Sequence, residues 1–169
     1  YYQGRTYCAP IDGKTKKFPS KFECPLGSRY WVYNIDEVRV RGVRTVIVVE
    51  SVLNVISLEK KIRAVGAQDE VAAACVFKHH VSHAQLAKLM SLKKLEEFCF
   101  MYDADSVDAS WAEAGKLTNQ RIGSVAEIPP ITRTQDANDD VDLAWKAFKE
   151  RKRTDGPLNQ LTALARKSF

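Results

Sequence analysis

The stretch Thr45-Val46-Ile47-Val48-Val49-Glu50 decides the fold. Five β-branched residues in a row, with no polar alternation, mark a strand covered on both faces, the kind found in parallel sheets flanked by helices. The run stops at a carboxylate, and Ser51 stands where it can cap a following helix. Val52, Val55, Ile56, Ile62 and Val65 then recur at helical spacing up to Gly66, a stop signal. Residues 71–77 form a second apolar run, and Ser82 opens a helix with Leu86, Leu89 and Met90 on one face.

Phe98-Cys99-Phe100-Met101-Tyr102 is a third strand, and it runs into Asp103-Ala104-Asp105. A helix over residues 108–120 follows, capped by Asp108, with Trp111, Ala114 and Leu117 inward. Residues 123–128 give a fourth strand, stopped by Pro129-Pro130. Residues 141–153 read as an amphipathic helix on Leu143, Trp145, Ala147 and Phe148, its basic end in water, and 158–167 as a last helix. Upstream, residues 1–34 are rich in Lys, Tyr, Gly and Pro and read as a small irregular or short-stranded appendage; Ile35–Arg41 is a short helix closed by Gly42.

Strands alternating with helices give an α/β fold, an open and mainly parallel sheet with helices on both faces and a small basic N-terminal appendage. The chain divides into a basic segment 1–43, an α/β domain 44–132 and a C-terminal part 133–169. In such sheets ligands sit at the carboxyl ends of the strands, where Glu50, Asp103 and Asp105 all fall. Two carboxylates at i and i+2 on one strand end, with a third on another, suit a hard divalent cation. Mg²⁺ binds through one or two carboxylates plus substrate phosphates, which points to phosphoryl-transfer chemistry.

Composition narrows the classes. At 169 residues with 45% hydrophobic and 28% charged residues, the chain is long enough to bury a core and polar enough to be globular. No apolar run approaches the roughly 18 residues that span a bilayer, and nothing at the start resembles a signal peptide, so a cytoplasmic location is expected. The chain opens on Tyr1-Tyr2 without Met and is read as a piece of a longer protein.

Net charge is +5, with cations gathered upstream (Lys14, Lys16, Lys17, Lys21, Arg29, Arg39, Arg41, Arg44) and downstream (Lys146, Lys149, Arg151, Lys152, Arg153) of the acids. An acidic metal site bordered by basic surface suits a polyanionic substrate. The four cysteines form no C-x-x-C pair. Cys75 and Cys99 read as buried thiols, and Cys8 and Cys24 as reduced rather than paired. His79, His80 and His83 read as an exposed loop-to-helix junction. Tyr30 and Trp31 read as packing the appendage on the core, with base stacking as the alternative.

A strand ending in Glu followed by a strand ending in Asp-x-Asp, within alternating α/β structure, resembles the Toprim domain shared by bacterial-type primases, type IA and type II topoisomerases and some nucleases. The flanks resemble primases: Gly4-Arg5, then Lys17-Phe18-Pro19-Ser20, then 27–33 before the strand to Glu50, and later Asp136-Ala137-Asn138-Asp139-Asp140. The resemblance covers most of residues 4–150.

It implies that Glu50, Asp103 and Asp105 are catalytic and hold Mg²⁺ or Mn²⁺, with Asp136 and Asp140 completing the metal site. It implies that Arg5, Lys17, Lys21 and Arg29 contact template or nucleotide. The activity it implies is that of a DNA primase, a DNA-directed RNA polymerase making short RNA primers on single-stranded DNA from NTPs, working with a replicative helicase fused or in trans, and with no membrane. Departures fall on neighbours of the acids: Ser51 and Asn54 where primases have Gly and Asp, Ala104 between the two Asp, and Cys75-Val76-Phe77 in place of a Gly-Thr type loop. Two alternatives stand beside the primase: a Toprim nuclease or topoisomerase-type enzyme, and a diverged Toprim module that binds DNA or a replication partner without synthesis.

Overall fold

The computed structural model describes residues 28–117, 122–129 and 137–154, and the backbone of 4–5 and 22–23. Lys17, Lys21, Asp136, Cys8, Cys24, the side chain of Arg5 and the expected helix at 158–167 lie outside the described residues.

Gly4–Arg5 (β1) and Phe22–Glu23 (β2) pair antiparallel. A 3-10 turn at Ser28–Tyr30 leads to the helix Ile35–Arg41 (α1). Then come Thr45–Val49 (β3), Val52–Ala64 (α2), Val71–Cys75 (β4), His83–Met90 (α3), Glu97–Phe100 (β5), Val107–Gly115 (α4), Ile122–Val125 (β6), Val141–Lys149 (α5) and Lys152–Arg153 (β7). The main sheet has five strands in the order β4-β3-β5-β6-β7; the first four run parallel and β7 joins antiparallel at the edge. Among the described residues no helix is long and apolar enough to cross a membrane.

Alternation along β3 divides the core. Val46 and Val48 face one layer with Phe98, Phe100, Leu89, Trp111 and Val38, while Ile47 and Val49 face the other with Leu58, Ile62, Met101 and Phe148. All four strand residues are buried, which is why the run needs no polar face.

Local signals explain most element ends. Ser51 accepts from the Asn54 N–H at the start of α2, and Ser82 and Gln85 form a reciprocal capping box on α3. Gly42 closes α1 at φ 60°, a conformation that costs glycine nothing. Gly123 serves another need: a Cβ there would overlap the Ala114 carbonyl oxygen, so α4 lies on β6 only because the side chain is absent. Phe77, at φ 67°, turns the chain out of β4 in a conformation that is rare for a bulky residue.

Several sequence expectations are corrected. Within α2 the buried residues are Asn54, Val55, Leu58 and Ile62, while Ile56 and Val65 are exposed, because an apolar stripe of this width has more than one possible inward direction. Ser106, not Asp108, occupies the N-cap position of α4.

The expected helix over 141–153 stops at Lys149. Arg151 turns inward to Glu97 at 2.5 and 2.8 Å, and Lys152–Arg153 pairs with β6. That basic run is therefore not the wet end of a helix. Trp145 is only partly buried and lies 5.0 Å, centroid to centroid, from Phe148; the buried anchors of α5 are Ala144, Ala147 and Phe148.

Candidate functional site

β3 and β5 are parallel neighbours in register from Thr45↔Glu97 to Val48↔Phe100, so the residues that follow them leave the sheet at the same rim. Glu50 follows β3 and Asp103 follows β5 by three residues. There the Asp103 N–H donates to Glu50 Oε1 at 3.2 Å. Asp105 is exposed on the turn beyond, and its Oδ1 accepts from the Ser106 hydroxyl at 3.1 Å.

Burial pushes the Glu50 carboxyl above its ordinary range, and the charge of Asp105 adds to that rise. The Asp103 N–H, His79 and the Ser106 hydroxyl work the other way without cancelling it. His79 Nδ1 lies 4.0 Å from Glu50 Oε2. A raised carboxyl at a strand end is a common mark of a functional site.

The rim holds further groups that carry no recognisable sequence signal. Tyr102 ends β5's apolar run with its side chain buried; its hydroxyl has no hydrogen-bond partner, and burial together with Glu113, Glu50 and Cys75 drives its pKa well up. Glu113, almost fully buried on α4, is held by Lys116 at 2.5 Å and lies 3.3 Å from His80 Nδ1. His79 and His80 are exposed as expected, and their rings meet edge to face at 4.5 Å, linking the Glu50 and Glu113 groups. Asn54, four residues after Glu50, is buried with neither amide atom paired. The Cys75 thiol donates to the Glu50 carbonyl at 3.2 Å, and Cys75 and Cys99 are both buried thiols rather than disulfide halves, as expected.

The other described site residues are engaged locally. Asp140 is the N-cap of α5, its Oδ1 accepting from Asp142 N–H and Leu143 N–H at 3.1 and 2.9 Å. Arg29 is exposed, its guanidinium 4.9 Å over the Tyr30 ring. The basic ends are partly paired within the chain: Arg41 meets Glu59 at 2.7 Å away from water, and at the surface Arg39 pairs with Asp36 at 2.6 Å, Arg44 with Glu96 at 2.7 Å and Lys152 with Glu127 at 2.9 Å.

Glu50, Asp103 and Asp105 offer oxygen donors only, the chemistry that hard divalent cations take. Among the described residues no group of three or more His, Cys, Asp and Glu side chains is drawn together to hold a metal ion. The acids share a rim without closing on one point. In comparisons with known proteins, no family model matches the chain and no curated protein matches it.

Proposed function

We propose that this chain is the Toprim core of a primase-like protein, joining NTPs into short RNA primers on a single-stranded DNA template with Mg²⁺ or Mn²⁺. The observation that supports the reading is the 3.2 Å bond from the Asp103 amide to Glu50, which ties the ends of two parallel strands into one acidic rim. The raised pKa of Glu50 supports it too, since burying a carboxylate with too few partners costs stability that a structural residue has no reason to bear.

Primer synthesis joins a 3′ hydroxyl to an α-phosphate while pyrophosphate leaves. A bound divalent cation supplies charge neutralisation at the phosphates and acidifies the attacking hydroxyl. Glu50, Asp103 and Asp105 would hold it in this reading, with Asp136 and Asp140 assigned to a second cation. The Asp103 N–H fixes Glu50 Oε1 and so orients its carboxylate. Cation uptake requires Glu50 to be deprotonated, so binding strengthens as pH rises through its raised pKa.

One rival has its own support. Ser51, Asn54 and Ala104 replace residues of the primase pattern, and among the described residues the acids stop short of a closed donor group, as a module that binds DNA or a partner without synthesis would allow. Incubation of the full-length protein with single-stranded template, NTPs and Mg²⁺ or Mn²⁺ decides among the readings. Short RNA is the expected product; cleaved DNA would select a Toprim nuclease or topoisomerase-type enzyme, and template binding with neither product would select the non-catalytic module.

A further inference from the structure

Tyr30 and Trp31 are adjacent, large and aromatic, and 49% and 53% exposed. Each carries a cation on its ring: Arg29 Cζ lies 4.9 Å from the Tyr30 centroid and Lys88 Nζ 4.9 Å from that of Trp31. Half-exposed rings beside two cations match a strand that offers flat bases and a phosphate chain together.

The pair is also held in place. Gln85, buried at the start of α3, donates to Ser28 O at 3.2 Å, Trp31 O at 2.8 Å and Val76 O at 2.9 Å. Lys88 Nζ donates to Tyr30 O at 2.6 Å, and the Ser82 hydroxyl to Arg29 O. A fixed aromatic platform loses little conformational freedom on binding.

Its location is the rim of the acids. Tyr33 pairs with Cys75 in both directions, at 2.9 and 3.2 Å, and the Cys75 thiol reaches the Glu50 carbonyl. Trp31, Tyr33, Ile35 and Phe77 line one hollow there, and exposed Lys78 follows Phe77. The acids on that hollow, Asp36 and Glu37, are paired with Arg39 at 2.6 Å and Arg63 at 3.2 Å.

We infer that Tyr30 and Trp31, with Arg29 and Lys88, form a base-stacking platform for single-stranded DNA beside the acidic rim. This rests on the nucleic-acid reading of the protein and assigns the residues that grip the template. Stacking tolerates any base, so the platform binds strands without sequence preference and rejects duplex, whose bases are already stacked.

The test is fluorescence anisotropy with fluorescein-labelled oligo-dT in EDTA, beside the same measurement on a duplex. The chain has three tryptophans, and of these Trp31 is exposed whereas Trp111 is buried and Trp145 partly so; stacking therefore quenches Trp31 emission. Trp31→Ala and Tyr30→Ala should each weaken binding about tenfold. Trp31→Phe should keep most of the affinity while losing the quench, and Arg29→Gln or Lys88→Gln should flatten the salt dependence.

Oligo-dT affinity unchanged in Trp31→Ala, equal binding of duplex, or no binding by the wild type would each overturn the platform. EDTA keeps the result separate from the metal: a wild type that failed to bind Mn²⁺ would sink the proposed catalysis and leave this measurement intact.

Discussion

At the N-terminal rim of the sheet, Glu97 opens β5 and is fully engaged: Arg151 donates to both its oxygens at 2.5 and 2.8 Å, and the Ser124 hydroxyl adds a third bond at 2.5 Å. At the C-terminal rim, Glu50 is also withdrawn from water but receives only neutral donors, the Asp103 N–H at 3.2 Å and the Ser106 hydroxyl, with His79 4.0 Å away. Burial raises both carboxyls. For Glu97 the bonds from Arg151 and Ser124 and the charges of Arg151 and Arg153 outweigh burial and hold its pKa below the ordinary range; for Glu50 burial wins. A buried acid with a guanidinium is part of the frame. Glu50 has no such partner, and on the proposed reading a divalent cation would supply it.

The sharpest way to break this comparison is to remove Glu97. Glu97→Ala leaves Arg151 charged and underpaired and should cost about 3 kcal/mol in urea unfolding. Replacing both partners with apolar residues of similar volume should recover most of that loss. The pH dependence follows from the depressed pKa. The stabilisation from Glu97 is fully present above the ordinary carboxylate pKa and is lost as pH falls through its lower folded value. The wild type should therefore lose stability in that acidic window, and a Glu97→Gln variant should not show the same step.

The second substitution has the opposite sign and a smaller size. Glu50→Gln keeps an oxygen for the Asp103 N–H and removes a poorly compensated charge, so it should stabilise the metal-free protein at neutral pH by about 1 kcal/mol. Here linkage runs the other way: the folded state holds the Glu50 proton more tightly than the unfolded chain, so stability falls as pH rises from the ordinary carboxylate value through the raised one. A stability curve for Glu50→Gln that lies on or below the wild-type curve at neutral pH would remove the contrast between the two acids.

How far this was legible in the sequence differs between the rims. The β-branched run to Glu50 and the apolar run to Asp103 give strands buried on both faces, and parallel pairing then brings their ends together. Glu97 gave no such sign. Its partner is 54 positions away, and Arg151 sat in a basic run that local pattern assigns to a wet helix end. Local periodicity sees neighbours three or four apart and is blind to a pair closed by the sheet. The same blindness hid Glu113, which joins the Glu50 rim only through the packing of α4. In α2, Ile56 and Val65 compete with Leu58 for the inward face, and tertiary packing, not spacing, decided for Leu58.

The charge reading changes in the same way. Arg39, Arg41, Arg44, Arg151 and Lys152 looked like surface for a polyanion, and each has an acidic partner within the fold. On the proposed reading, affinity for nucleic acid would rest more on Arg29, Lys88 and the aromatic pair they flank than on the count of cations.

The measurement that bears most directly on the central claim is Mn²⁺ binding followed by electron paramagnetic resonance, where the free ion's signal falls as the protein takes it up. The account predicts uptake by the wild type at neutral pH, weakened at least about tenfold in Glu50→Gln and in Asp103→Asn, and kept in Glu97→Gln. Equal uptake by the wild type and Glu50→Gln, or none by any of them, would contradict it.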